Sequence, residues 1–199
     1  MLEFKNIVLP STDDVAAPAS FSLVISPGNV ACLCGESGKG KTTLLQAIMG
    51  LTTLRGGYIT IDGELVSRGS SEYFRHQIAY VPQRLPDVRE KVSELCEQFF
   101  RMKVNRDVPF TREQLTDSWT ALNLDAALWD CWITDIGRDQ LWLVLLSLTP
   151  LLDRRILLLD DPVQSAAVDG FIARMASEGK EVLYACRENA LRCTKVVNI

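Results

Sequence analysis

The segment that decides the fold reads VACLCGESGKGKTTLLQAIMG and covers residues 30–50. It begins with five apolar residues, which predict a buried β-strand over Val30–Cys34. Its middle matches the pattern G-x-x-x-x-G-K-[ST] at every fixed position, from Gly35 to Thr42. Its last part has apolar residues at helical spacing, which predicts a helix over residues 41–50. A strand, a glycine-rich loop and a helix in this order predict a phosphate-binding site in an α/β fold.

The loop contains the residue types that hold the phosphates of a nucleotide. Glycines allow the backbone N–H groups to point at phosphate oxygens, and the following helix adds the positive end of its dipole. Lys41 supplies a charge for the β- and γ-phosphates, and the Thr42 hydroxyl is a ligand for Mg²⁺. The predicted nucleotide-binding residues are Gly35, Glu36, Ser37, Gly38, Lys39, Gly40, Lys41, Thr42 and Thr43.

A second motif supplies carboxylates. Ile156–Leu159 is an apolar run that predicts a strand, and it ends in Asp160 and Asp161, followed by Pro162. A nucleotide site of this kind needs an aspartate at the end of a buried strand beside the loop, where it holds Mg²⁺. We therefore predict that Asp160 belongs to the Mg²⁺ site.

The rest of the chain alternates strands with helices. Apolar runs predict strands near residues 2–9, 21–25, 58–62, 77–81, 181–185 and 195–199, and a helix over residues 166–177. Between residues 88 and 135 charges interleave with apolar residues at helical spacing, which predicts a small helical subdomain. The alternation around a continuous apolar strand predicts an α/β sheet covered on both faces.

Composition excludes several classes of protein. The chain has 199 residues, of which 47% are apolar and 23% charged, so it is neither disordered nor of low complexity. The net charge is −4 and no basic stripe occurs, which argues against nucleic acid as the partner. The six cysteines form no C-x-x-C pair and only one histidine is present, which argues against a zinc site and favours reduced thiols.

The most apolar stretch argues against a membrane span in this chain. It reads LWLVLLSLTPLL over residues 141–152, which is shorter than the roughly 20 residues that a spanning helix needs. The N-terminus, MLEFKNIVLPSTDD, lacks the apolar region of a signal peptide. We therefore expect a buried element at residues 141–152 and any link to a membrane through another chain.

The chain resembles the ATP-binding subunits of ABC transporters. Asp160-Asp161-Pro162 is similar to the family's D-E-P, and Tyr80-Val81-Pro82-Gln83 matches its glutamine loop. The resemblance implies one cassette over residues 1–199, with ATP and Mg²⁺ as cofactors. Its nucleotide-binding core of residues 1–87 and 136–199 would hold a mixed or parallel sheet and an N-terminal antiparallel part. Residues 88–135 would be the inserted helical subdomain, and Gln83 would reach Mg²⁺ and the γ-phosphate.

The family's LSGGQ signature is degenerate in this chain. The family spacing, counted back from Asp160, places the signature slot at Ile136–Gln140, which reads IGRDQ. In the family this segment caps the γ-phosphate that is bound to an opposing subunit. Arg138 attracts phosphate but is bulky where glycine permits close approach, and Asp139 repels it. The implied signature residues are Gly137, Arg138, Asp139 and Gln140.

Two further positions depart from the family pattern. The resemblance implies catalytic roles for Asp161, Gln83 and Arg187, but Asp161 replaces a glutamate and Arg187 replaces a histidine. Aspartate withdraws the carboxylate by about 1 Å, and a displacement of this order costs about 10²-fold in rate. Arginine holds phosphate but cannot become neutral as histidine does. The aromatic side chain that stacks on adenine in the family would fall near Thr12, where this sequence has none.

The resemblance implies a subunit that couples ATP to a separate membrane permease, at the inner face of the membrane in the cytoplasm. A hetero-pair with a better-preserved cassette is favoured over a homodimer, because self-pairing would combine a weakened base with a weakened signature in both sites. Hydrolysis is expected to be weakened. The alternative is a regulatory or structural subunit that binds ATP and scarcely hydrolyses it. We also expect the block of residues 88–135 to offer the permease an apolar groove beside Gln83.

Overall fold

The computed structural model of the chain describes residues 1–9 and 20–199. Its strands are β1 (Leu2–Val8), β2 (Ser20–Ile25), β3 (Val30–Cys34), β4 (Gly56–Ile61), β5 (Glu64–Leu65), β6 (Ile78–Val81), β7 (Ile156–Asp160), β8 (Glu181–Cys186) and β9 (Lys195–Asn198). Its α-helices are α1 (Lys41–Ile48), α2 (Ser71–Arg75), α3 (Val92–Arg101), α4 (Arg112–Ala121), α5 (Arg138–Leu148) and α6 (Ala166–Ser177). Three short 3₁₀ turns cover Ala126–Asp130, Ile133–Asp135 and Pro150–Leu152.

The strands form two sheets. The first is antiparallel, with strand order β2-β1-β4-β5. The second has the order β6-β7-β8-β3-β9, and all of its pairs are parallel. Since parallel strands end at the same edge of a sheet, the segments that follow β3, β6, β7 and β8 come together there. This edge carries the candidate site.

Both faces of the parallel sheet are covered. Strand β7 is buried along its whole length, as an apolar strand in a parallel sheet must be. Its alternate side chains enter different cores: Leu157 and Leu159 pack with the helical block and α5, whereas Ile156 and Leu158 pack with α1 and the antiparallel sheet. Two layers of apolar side chains therefore hold the sheet between them.

Side chains at the helix ends set several boundaries. The Thr111 hydroxyl accepts from the backbone N–H of Gln114, whose side chain accepts from Thr111 N–H in return, and α4 begins there. The Ser165 hydroxyl accepts from Val168 N–H at 3.3 Å and starts α6. Within residues 1–9 and 20–199, no helix is long and apolar enough to cross a membrane.

The predicted fold class is confirmed: the chain is α/β, with an antiparallel sheet and a parallel sheet. Helices α3 and α4 lie within residues 88–135, and the division into core and subdomain stays a prediction. The apolar stretch of residues 141–152 forms most of α5 and the last 3₁₀ turn. Helix α5 has buried residues on more than one side, which is why its sequence shows no amphipathic period.

Candidate functional site

A cavity of about 360 Å³ opens at the edge where the parallel strands end. It brings the glycine-rich loop, which follows β3, next to residues from the ends of β6, β7 and β8. Its lining consists of Ser37, Gly38, Gly40, Lys41, Thr42, Thr43, Gln83, Asp160, Asp161, Ala185, Cys186 and Arg187. Residues that are up to 150 positions apart in the chain therefore share one site.

The glycine-rich loop is shaped by two glycines in different ways. Gly38 has a φ of +84°, a conformation that residues with a side chain rarely adopt. At Gly35 the constraint is space, because a Cβ would lie 2.2 Å from the backbone oxygen of Ile199. The Lys41 ammonium donates to the backbone oxygens of Gly35 and Glu36, the latter at 2.7 Å. The lysine charge is therefore held across the loop, where phosphate oxygens can replace these carbonyls.

Asp160 ends β7 at the cavity and is only 2% exposed. Burial raises the pKa of its carboxyl group, and hydrogen bonds from the Thr42 and Tyr80 side chains oppose that rise. The Tyr80 hydroxyl donates to Asp160 Oδ2 at 3.2 Å. The Thr42 hydroxyl, the Gln83 amide and the Asp160 carboxylate are oxygen donors of the kind that Mg²⁺ prefers. The residues present therefore fit a nucleotide with its Mg²⁺ ion.

Asp161 is held by two other predicted site residues. Its backbone adopts a left-handed φ of +53°, and its N–H donates to the Ala185 oxygen at 2.8 Å. Gln83 Nε2 donates to Asp161 Oδ2 at 3.1 Å. Arg138 Nη2 lies 3.6 Å from the same oxygen and donates to the Gln83 backbone oxygen at 3.3 Å. Arg138, from the predicted signature slot, thus contacts Asp161, the predicted general base of its own chain.

None of the predicted signature-slot residues is part of the cavity lining among the described residues. Gly137 precedes α5, and its N–H donates to Gln140 Oε1 at 3.0 Å. Asp139 forms an ion pair with Arg138 Nη1 at 3.6 Å. Gln140 therefore caps the N-terminus of α5, and Asp139 partly neutralises the charge of Arg138.

Arg187 follows β8 and borders the cavity from the side of the loop. Its guanidinium donates to Ser37 Oγ at 3.1 Å, which links the end of β8 to the loop. Its backbone oxygen accepts from the Cys34 thiol at 3.3 Å. A permanent cation therefore stands beside the loop, and its role toward a phosphate stays a prediction.

Some residues that line the cavity were not predicted from the sequence, and some predicted residues do not line it. Ala185 and Cys186 line the cavity because β8 ends beside β3, and Tyr80 supports Asp160 from β6. The sequence did offer a signal for Tyr80: it is a tyrosine in an apolar strand, β6, which pairs with β7, the strand that ends in Asp160. Three predicted loop residues, Gly35, Glu36 and Lys39, are not part of the lining. The prediction about Thr12 lies outside the described residues.

The apolar groove that we expected residues 88–135 to present beside Gln83 stays a prediction, and a different depression lies along α3. The depression found there has a volume of about 520 Å³ and is mostly charged, because the charged face of α3 points outward. Its only aromatic among the described residues is Trp132, which is 40% exposed and lies 5.9 Å from the guanidinium of Arg89. We call this depression the charged groove; it is lined by Arg89, Glu90, Glu94, Glu97, Gln98, Arg101 and Trp132.

Comparisons with known proteins show what this chain is similar to. The family model described as ABC transporter matches residues 19–164. A ribose import ATP-binding protein, RbsA, of Oceanobacillus iheyensis is 27% identical over 181 residues, covering 86% of this chain and 35% of that protein. A sophorolipid transporter of Starmerella bombicola is 29% identical over 132 residues, covering 65% of this chain and 10% of that protein.

Solved structures show the same fold. A putative ABC transporter ATP-binding protein from Pyrococcus furiosus superposes with a TM-score of 0.78 at 22% identity, covering 99% of this chain and 96% of that one. The cbiO1 protein from Clostridium perfringens gives a TM-score of 0.72 at 20% identity, with 99% and 83% covered. The chain thus spans nearly all of one solved cassette but only about a tenth to a third of the length of the two curated relatives.

Proposed function

Because this chain belongs to the ABC transporter family, we propose that it is the ATP-binding subunit of a transporter whose membrane permease is a separate chain. The observation that carries the proposal is the single cavity that collects the phosphate-binding loop, Gln83, Asp160 and Asp161. The family binds ATP with Mg²⁺, and the loop and oxygen donors of this chain fit both. Such a subunit would work at the cytoplasmic face of the membrane.

Each residue of the cavity has a distinct task in this proposal. Lys41 and the backbone N–H groups of the loop hold the phosphates, and Thr42, Gln83 and Asp160 hold Mg²⁺. When bound, Mg²⁺ neutralises part of the phosphate charge. Asp161 orients the attacking water, and Arg187 faces the γ-phosphate. Buried Asp160 is kept in position by Tyr80 and Thr42.

Weakened hydrolysis is supported by the neighbours of Asp161. Its short carboxylate is engaged by Gln83 and Arg138, so one of its oxygens is less free to orient a water. The signature slot lacks the family's serine hydroxyl, and Gln140 serves as a helix cap. A second, better-preserved cassette would supply an intact signature to this chain's nucleotide. We therefore favour a hetero-pair over a homodimer.

The charged groove is the proposed docking surface for the permease. It lies on α3 and the segment before it, and Trp132 offers an aromatic anchor within a charged rim. Trp132→Asp should abolish co-purification of the membrane partner and leave ATP binding intact. Tyr73→Asp, which changes another exposed aromatic outside the groove, is the matched control. Co-purification that survives Trp132→Asp would contradict this docking surface.

The alternative is a nucleotide-dependent regulatory or structural subunit that hydrolyses ATP very slowly or not at all. It is favoured by the same contacts that engage Asp161, combined with an intact phosphate-binding loop. Turnover of the isolated chain and of the assembled complex separates the two functions. Turnover only in the complex supports the transporter subunit, and none in either supports the alternative.

A repair experiment tests the weakened site directly. The double variant Asp161→Glu with Arg187→His lengthens the carboxylate and restores a side chain that is neutral at pH 7. Single-turnover hydrolysis should rise when a partner supplies an intact signature, and far less in a homodimer. Vigorous hydrolysis by the purified wild-type chain alone would show that these departures are adaptations, and the proposal of a weakened site would fail.

A further inference from the structure

Three cysteines lie on one face of the parallel sheet, directly beneath the phosphate-binding loop. Cys32 and Cys34 are two residues apart on β3, so their side chains share a face. Cys186 ends β8 and is the register partner of Cys34. All three thiols pack in or against the same core cluster. The loop begins at the residue that follows Cys34.

Two of these thiols are already in contact. The Sγ atoms of Cys32 and Cys186 are 3.4 Å apart, in an S–H···S hydrogen bond. Cys32 is 0% exposed and Cys186 is 2% exposed, so water competes little with this contact. Cys186 also lines the nucleotide cavity, which gives small molecules a route to it when that cavity is open.

The two thiols have different electrostatic environments. The hydrogen bond from Cys32 lowers the pKa of Cys186, with smaller help from the Cys34 thiol and the Lys41 charge, although burial opposes this. The same hydrogen bond, together with burial, raises the pKa of Cys32. Because the thiolate is the nucleophile in cysteine oxidation, Cys186 is the thiol that reacts first and Cys32 remains a protonated neighbour.

We propose that Cys186 and Cys32 form an oxidisable thiol pair at the floor of the nucleotide cavity, with a small peroxide as the oxidant. The Cys186 thiolate attacks one peroxide oxygen, the O–O bond breaks, and Cys186 sulfenic acid and hydroxide form. Cys32 then attacks the sulfenic sulfur while its thiol proton passes to the hydroxyl group, so the S–S bond forms as the S–O bond breaks and water leaves. The two thiols lose two electrons in total, and hydrogen peroxide is reduced to water.

Oxidation would alter nucleotide binding because the phosphate-binding loop is attached to Cys186 and to Arg187, the residue that follows it. A disulfide requires the two sulfurs to approach by about 1.4 Å from their 3.4 Å contact. The backbone oxygen of Cys186 accepts from Gly35 N–H at 3.2 Å, at the start of the loop. Arg187 comes next in the chain and donates to Ser37. A movement of β8 against β3 is therefore transmitted to the loop from two sides.

Two further thiols, Cys34 and Cys131, are engaged differently. Cys34 is half-buried, donates to the Arg187 backbone oxygen at 3.3 Å and also forms a hydrogen bond with the Cys186 thiol. Cys131 is also half-buried and donates to the Ala127 backbone oxygen at 3.5 Å, in the helical block. Cys34 is therefore the competing partner for Cys186, and Cys131 is a matched control in a distant part of the chain.

The experiment treats the full chain with hydrogen peroxide, with and without MgATP, and compares wild type with the variants Cys32→Ser, Cys34→Ser, Cys186→Ser and Cys131→Ser. Tryptic mapping should recover peptide 6–39 linked to peptide 181–187. The link should form in wild type, Cys34→Ser and Cys131→Ser, and not in Cys32→Ser or Cys186→Ser. MgATP should suppress it by filling the cavity above Cys186.

Binding supplies the second readout. Oxidised wild type should bind MgATP at least tenfold more weakly, and a dithiol reductant should restore the affinity. Cys32→Ser should bind like reduced wild type before and after peroxide, so the result stands even if Cys186→Ser fails to fold. A link through Cys34, no link at all, or unchanged affinity of the linked chain would each overturn the proposal. Because the link is measured on peptides, its absence is distinguishable from a failure of the transporter function.

Discussion

Arg138→Ala is expected to tighten the binding of MgATP. In the structure Arg138 lies 3.6 Å from Asp161 and donates to the Gln83 backbone at 3.3 Å, so it engages two residues of the nucleotide cavity. The side chains of Arg138 and Asp161 are 49% and 43% exposed, and an ion pair this open contributes at most about 1 kcal/mol. Because 1.4 kcal/mol corresponds to a tenfold change in affinity, a contribution of about 1 kcal/mol limits the increase in MgATP affinity to about fivefold.

The assay is calorimetric titration with MgATP at low and high salt. Exposed ion pairs are screened by salt, so the difference between wild type and Arg138→Ala should shrink as the ionic strength rises. Arg101→Ala is the control, because it removes the same charge from α3, where Arg101 pairs with Glu97 at 2.8 Å. If Arg138→Ala binds MgATP more weakly while the control is unchanged, Arg138 attracts the phosphates bound to its own chain, and its contacts with Asp161 and Gln83 do not oppose binding.

Three further predictions concern the loop, the core and the Mg²⁺ site. Lys41→Ala should lower ATP affinity at least tenfold by calorimetry, about 1.4 kcal/mol, whereas Lys103→Ala should not. Ser147→Ala should lower the free energy of unfolding in urea by about 1–3 kcal/mol, because the buried Trp119 indole N–H loses the acceptor that it holds at 2.9 Å. Burial raises the pKa of Asp160, so the folded chain binds more protons there than the unfolded chain, and stability falls as pH rises through that raised pKa. Asp160→Asn should therefore raise the melting temperature at pH 7 and weaken Mg²⁺-dependent ATP binding; a lower melting temperature would contradict this account.

The strands of the core could be predicted from the sequence with small errors. Apolar runs located β3 at its observed ends and β7 and β8 to within one residue, because a strand buried on both faces must be apolar throughout. Helix α5 was expected only as a buried element. A helix that is buried on several sides has no polar stripe, so its sequence resembles any other buried segment.

The sequence by itself determined the phosphate-binding loop and its place between a strand and a helix, because glycines, a lysine and a threonine at fixed spacing act through their local backbone. It also placed Asp160 near that loop through its position after an apolar strand, whereas Gln83 was expected there from the family resemblance. Only the tertiary structure decided which side chains meet. The Cys32–Cys186 contact joins residues 154 positions apart through the pairing of β3 with β8. The contact of Arg138 with Gln83 depends on how the N-terminus of α5 packs beside the sheet, which no local pattern encodes.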